Sequence, residues 1–366
     1  MKTKIVTIVD IVPNYGNYLQ NYAVQEVVRP YTGECPETIL YHDLPKVGMQ
    51  QNLRYIVNKA TGYHFTDSPD YWKYTFHRIS AFLRFRKAYI PSVPMKDLVD
   101  DSQTAFFFLG SDQVWNPSWY DENGIKQNLF LLTFIPPQKR VCMSPSFGLP
   151  ELPEKWKPWF TEHLKDFPIL SVREDAGADI IRNLTGQEAE VLIDPTLMLS
   201  VEQWRAISRA PRKVDVKNGY ILVYVLGDIS EEIERDINRI AEEKSLKVHL
   251  LMQRKDPYLY ASGPAEFLYL VDHAELIITD SFHACVFSFL FERPFLAYHR
   301  KGAQTHLITR IKTLLEKFGL NNRLVKPGEV KSLSEILEVD YSFGKKRLFS
   351  ERKKVEQFLL RSIGGK

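Results

Sequence analysis

Short apolar and β-branched runs alternate along the chain with segments whose apolar residues recur every three or four positions. The runs predict strands over Lys4–Asp10, Thr38–Tyr41, Ala105–Leu109, Val141–Ser144, Leu170–Arg173 and Val191–Ile193. A second set predicts Tyr220–Leu226, Val248–Met252, Leu276–Thr279 and Phe295–Tyr298. Helical spacing fills the gaps: over Tyr18–Val28, Leu19, Tyr22, Ala23, Glu26 and Val27 share one face, and Ser230–Ser245 behaves similarly. Such alternation predicts parallel βαβ units. A polar stretch containing Pro and Lys, Ser208–Asn218, separates the two sets. The expected fold is therefore α/β, with two Rossmann-like domains facing across a cleft. Residues 1–205 make the first domain, 206–340 the second, and 341–366 a basic C-terminal helix available to pack back on the first.

Ligands of open α/β sheets bind beyond the carboxyl ends of the strands, and four segments there carry candidate chemistry. In Asn14-Tyr15-Gly16-Asn17-Tyr18-Leu19-Gln20, Gly16 permits a tight turn and Asn17 is placed to cap the next helix, turning free N–H groups to the cleft. A plain capped turn explains the same residues. In Gly110-Ser111-Asp112-Gln113-Val114-Trp115-Asn116-Pro117, polar groups capable of paired hydrogen bonds adjoin an aromatic ring, which suits an array of sugar hydroxyls. Arg173 ends an apolar strand, where it can clamp a carboxylate or phosphate or simply pair with Glu174, Asp175 or another acid. Asp194, in Asp194-Pro195-Thr196, is read as structural. In Thr279-Asp280-Ser281-Phe282-His283, the histidine falls in a first helical turn, where an anion is favoured. A bound phosphate would tend to protonate it, which suits a general acid; the plainer reading is a capping cluster with a core histidine.

Composition narrows the classes. The 48 Lys and Arg residues nearly balance 45 Asp and Glu, for a net charge of +3, so nothing calls for nucleic acid. Cys35, Cys142 and Cys285 have no metal-binding spacing, so neither a zinc site nor a disulfide framework is expected, and no other metal is. Apolar runs are too short for a signal peptide or a membrane span, which leads to the expectation of a cytoplasmic protein. Between Tyr71 and Met95 there is no acid. As a helix, that segment puts Lys73, His77, Arg84 and Lys87 on one face and Trp72, Phe76, Ile79 and Leu83 on another. The basic face is either simply solvated or a surface that meets anionic lipid at the inner membrane face or the diphosphate of a lipid-linked acceptor.

Taken together, Asn14–Gln20, Gly110–Asn116, Ser144–Gly148, Ser171–Glu174, Asp194–Thr196, Ser281–His283, Phe287-Ser288 and Arg293-Pro294-Phe295 resemble the polysaccharide pyruvyl transferase family, in its order. Pro145 departs from the small residue expected in Ser144–Gly148, so that loop receives no role. The resemblance implies a GT-B-like fold and transfer of pyruvate from phosphoenolpyruvate to a hexose in a glycan or lipid-linked oligosaccharide. The product is a cyclic ketal, and no cofactor beyond phosphoenolpyruvate as co-substrate is implied. It assigns Arg173, Ser281, Phe282 and His283 to the donor pocket, and the general-acid reading of His283 given above fits that place. On the acceptor side the residues themselves lead to the expectation of Asn14, Asn17, Gln20, Asp112, Gln113, Trp115 and Asn116, with Asp112 the candidate to orient or deprotonate the hydroxyl. The competing expectations are a glycosyltransferase using a nucleotide sugar and a non-catalytic sugar-binding homologue.

Overall fold

Buried parallel strands carry near-continuous apolar runs, because helices cover both sheet faces, and the central strands of this chain do so. A computed structural model describes residues 1–9, 13–41, 69–95, 103–120, 124–299, 308–329 and 332–364. The first sheet comprises β1 (Thr3–Val6), β2 (Glu37–Leu40), β3 (Ser92–Pro94), β4 (Phe106–Leu109) and β5 (Arg140–Cys142), all parallel, in the order β3-β2-β1-β4-β5. A parallel pair, β6 (Leu170–Val172) and β7 (Ala189–Val191), follows. The second sheet comprises β8 (Tyr220–Tyr224), β9 (Lys247–Leu250), β10 (Leu276–Thr279), β11 (Phe295–Tyr298) and β12 (Leu324–Val325), parallel in the order β12-β11-β10-β8-β9. Both are doubly wound orders, so the chain folds as two Rossmann-like α/β halves.

Several strands stop short of their predicted ends. The run Tyr220–Leu226 leaves its sheet after Tyr224, and Lys4–Asp10 leaves after Val6, with Asp10 itself outside the described residues. The departing residues Ile8 and Leu226 turn to line a pocket instead of extending the sheet. Near Val191–Ile193 the strand is earlier, at Ala189–Val191, and Leu192 and Ile193 bury their side chains after leaving the pair. β3, which carries Pro94, and the two-residue β12 lack a strand pattern and form at sheet edges, where proline and short pairing are tolerated.

Helix α1 (Tyr15–Thr32) starts three residues before its predicted beginning. Its cap is Asn14 and not Asn17: the Asn14 side chain accepts the Asn17 N–H at 3.3 Å. The basic segment forms α2 (Pro69–Tyr89), with Ile79 buried and His77, Arg84 and Lys87 exposed as the pattern requires. The side chains of Trp72 and Lys73 lie outside the described residues. Arg78 breaks the basic pattern, because its side chain is buried against the second half. Nη1 donates to Tyr15 Oη and to the Tyr260 carbonyl, each at 2.7 Å. Tyr15 in turn donates to the Ser262 carbonyl at 2.9 Å and stacks on Phe267 at 4.6 Å. One hydrophobic cluster runs from Ile5 through Tyr15 and Trp204 to Phe267 and Phe287, so the floor between the halves is packed shut.

Four further helices complete the frame used below: α3 (Asp175–Thr185), α4 (Phe282–Leu290), α5 (Ile308–Phe318) and α6 (Ser342–Gly364). The last straddles the halves. Arg352 donates to the carbonyls of Leu197 and Leu199 at 2.8 and 2.7 Å, while Glu351 pairs with Lys317 of α5 at 3.2 Å. Among the described residues, no helix is long and apolar enough to cross a membrane.

Candidate active site

Strand order reverses between β1 and β4 in the first sheet and between β8 and β10 in the second. The segments leaving these four strands open a crevice at each switch point, and here the two crevices meet in one pocket. It is lined by Ile8 and Asn14 after β1, Asp112 and Gln113 after β4, Leu226 after β8, and Asp280 to His283 after β10. Asp280 fixes the rim, accepting the N–H groups of Leu226 and Gly227 at 2.7 and 2.9 Å. Asn17, from the first turn of α1, also faces the pocket.

Behind the residues that line the pocket lies a buried ionic cluster. Asp194 is fully buried and accepts from Arg173 Nη1 at 2.6 Å, from Ser111 Oγ at 3.0 Å, and from the Thr196 hydroxyl and N–H at 2.7 and 2.9 Å. Its Oδ2 lies 3.8 Å from His283 Nε2. Burial works against its charge, but Arg173, His283 and the Thr196 hydrogen bonds outweigh that and hold Asp194 at about 2. Arg173 therefore does pair with an acid, and Asp194 is its partner. Glu174 instead clamps the Ser144–Gly148 loop, accepting from the Ser146 hydroxyl and the N–H groups of Phe147 and Gly148. The Arg173 guanidinium sits 4.6 Å from the Phe282 ring, and its Nε and Nη2 make no hydrogen bond among the described residues.

Asp112 has left-handed backbone (φ 73°), a geometry that Asp tolerates better than most residues. Its Oδ1 accepts the Gln113 N–H at 2.8 Å and faces Arg173 Nη2 at 3.6 Å and Arg310 Nη1 at 3.7 Å. His283 is buried, and burial, opposed by Asp194 and Asp112, lowers its pKa below the ordinary histidine value. The expected upward shift from a bound anion is thus absent from the ligand-free protein, whose imidazole is neutral near pH 7. Its Nε2 has no hydrogen bond among the described residues.

Not every predicted residue reaches the pocket: Arg173 is not among its lining residues and stands behind Asp112 and Phe282, which are. Trp115 is fully buried, packs 5.2 Å from Phe147 and donates its indole N–H to the Phe130 carbonyl at 3.0 Å. It is a core residue and not a platform. The exposed aromatic side chain at the pocket is Trp119, whose Nε1 donates to Gln113 Oε1 at 3.1 Å. Asn116 caps the short turn at Pro117–Trp119 and also donates to Gln113 Oε1, at 3.1 Å, so it shapes the loop from behind. Gln20 is fully buried, and its Oε1 accepts from Thr7 at 2.9 Å. Ser281 stands at the start of α4 without a side-chain capping bond among the described residues, and lines the pocket with Phe282. Among the described residues, no group of three or more His, Cys, Asp or Glu converges to hold a metal ion.

Asp194, Trp119, Arg310 and the second reason for Gly16 escape sequence reasoning. Gly16 was legible as a turn residue, but its importance is a close approach: a Cβ there would collide with the His283 ring. Gly16→Ala is expected to cost about 1–3 kcal/mol, the usual range for overpacking, and to displace the imidazole. Urea denaturation and the His283 ring resonances in NMR check this; wild-type stability with unmoved resonances would refute it.

A family model described as polysaccharide pyruvyl transferase matches residues 14–300 of the chain. No curated protein matches it. Among solved structures, the UDP-N-acetylglucosamine 2-epimerase from Rickettsia bellii aligns over 100% of this chain and 97% of its own, with TM-score 0.50 and 8% identity. The UDP-GlcNAc 2-epimerase of Methanocaldococcus jannaschii, in complex with UDP-GlcNAc and UDP, covers 98% of this chain and 99% of its own, with TM-score 0.49 and 12% identity. At 8% identity the Rickettsia likeness speaks for the fold alone, the paired Rossmann-like arrangement called GT-B.

Proposed function

We propose that this chain, which belongs to the polysaccharide pyruvyl transferase family, moves the pyruvyl group of phosphoenolpyruvate onto two hydroxyls of one hexose in a surface-polysaccharide precursor. A cyclic ketal closes and inorganic phosphate leaves. The second half presents His283, Ser281 and Phe282 to the donor, with Arg173 reaching it from the first half, and the first half presents the acceptor site. The observation that carries this reading is His283: a buried imidazole whose Nε2 makes no hydrogen bond among the described residues, at a helix start beside two guanidinium groups.

In this reading the Nε–Nη2 edge of Arg173 takes the donor carboxylate as a planar fork, while Nη1 stays with Asp194. The negative charge of the donor then raises the pKa of His283, which takes up a proton. His283 delivers that proton to C3, converting the methylene to methyl and leaving C2 an oxocarbenium-like electrophile. One sugar hydroxyl adds to C2, and its proton restores the imidazolium of His283. The second hydroxyl displaces phosphate as the bond from C2 to the bridging phosphate oxygen breaks, and its proton leaves with the phosphate. Asp112 orients the attacking hydroxyl through Oδ2, with Oδ1 held as described, and Asn14, Asn17, Gln113 and Trp119 line the acceptor's path.

The test is incubation with mass-tagged phosphoenolpyruvate and a panel of galactose, glucose and mannose glycolipids. The expected result is an acceptor carrying the pyruvyl label, with one phosphate released per transfer. Transfer from UDP- or CMP-sugars, with none from phosphoenolpyruvate, would replace this reading by glycosyl transfer.

A further inference from the structure

We propose that Arg310 anchors the phosphate of the donor, an assignment that rests on reading the pocket as a phosphoenolpyruvate site. Arg310 lies beyond the residues matched by the family, in the first turn of α5. Its side chain is only 9% exposed and lines the pocket. The guanidinium stands 3.7 Å from Asp112 and 5.8 Å from the ring of Phe282, the same ring that Arg173 approaches at 4.6 Å.

Three helices begin at this pocket and each contributes a first-turn side chain: Asn17 from α1, His283 from α4 and Arg310 from α5. Each start carries partial positive charge, and the buried Nε2 of His283 has no hydrogen bond there among the described residues. The fixed charges of Arg173 and Arg310 are offset by Asp112 and Asp194. A multiply charged anion in the pocket therefore meets Arg310 and Asp112 in the lining, a balanced Arg173–Asp194 pair behind it, and converging helix starts. Arg173, side chain 2% exposed and tied to Asp194, sits deeper and suits the small planar carboxylate. Arg310, nearer the opening, is left to the bulkier tetrahedral group. That group is also the one that must depart.

Isothermal titration with phosphoenolpyruvate, inorganic phosphate and pyruvate separates the acid groups. Wild-type protein is expected to bind phosphoenolpyruvate and phosphate. Arg310→Gln should lose phosphate binding, weaken phosphoenolpyruvate by about 10- to 100-fold, and leave pyruvate binding unmoved. Arg310→Lys should recover part of the loss by keeping the charge. Equal binding of phosphate and phosphoenolpyruvate by Arg310→Gln overturns the assignment while the donor reading stands. Wild-type protein that binds UDP-sugars and not phosphoenolpyruvate overturns both. Should the variants fail to fold, a crystal of the wild type grown with inorganic phosphate decides: an ion within hydrogen-bond distance of Arg310 supports the assignment, and an ion bound elsewhere refutes it.

Discussion

His283→Gln is expected to slow pyruvyl transfer at least about 10²-fold, the lower range for loss of a general acid, while phosphoenolpyruvate still binds. Glutamine keeps a hydrogen-bond donor of similar reach but has no proton to give to C3. The pH profile supplies a second reading. In the empty pocket, burial holds the imidazole below its ordinary pKa, with Asp194 and Asp112 opposing. The bound donor stabilises the charged form and raises that pKa. A rate that needs the imidazolium falls as pH rises through it, so the falling limb of kcat should lie at higher pH than that of kcat/KM. In the variant that limb should vanish. Near-normal turnover, or an unchanged limb, would remove His283 from the proton transfer and leave it a binding group.

Asp194→Ala is expected to destabilise the fold by about 3–5 kcal/mol, the usual cost of stripping one partner from a buried ion pair. Arg173 would remain buried, and Ser111 and Thr196 would lose their acceptor. The charge also sets a pH window. Because Asp194 is held at about 2 in the folded protein, below the roughly 3.9 of an unfolded chain, its contribution is complete above about pH 4. It fades as pH falls towards 2. Urea unfolding at neutral pH measures the loss, and a change under about 1 kcal/mol would contradict the buried-pair reading. A positioning role has its own signature: with Asp194 gone, the His283 imidazole loses its nearest counter-charge, so the falling limb of kcat should move to lower pH. An unmoved limb would confine Asp194 to stability.

The architecture was legible because buried parallel strands advertise themselves. Leu276–Thr279 and Phe295–Tyr298 form over the residues their apolar runs predict. Boundaries failed where function begins, since Ile8 and Leu226 continue an apolar run into the pocket wall and look no different from sheet residues. At the site, Asp112, Gln113, Ser281 and His283 could be picked out because they follow strands directly. Trp115 and Gln20 could not be separated from pocket residues, since a core indole and a core amide share their neighbours' composition. Arg310 had no signal, being one basic residue in an amphipathic helix that also carries Lys312 and Lys317. The role of Asp194 depends on Arg173 arriving from another strand. Only the tertiary fold creates that.

The contact of Arg78 and Tyr15 with the second half bears on synthesis as well as on shape. Chains emerge from the ribosome amino end first, and domains generally fold as units in that order. Here the first half carries an arginine whose acceptor, the Tyr260 carbonyl, and a tyrosine ring whose stacking partner, Phe267, are made more than 180 residues later. Until then a guanidinium and several aromatic rings face water, or the surfaces of chaperones. The nascent first half is thus an incomplete product, and the peptide from Tyr260 to Phe267 is the piece that finishes it.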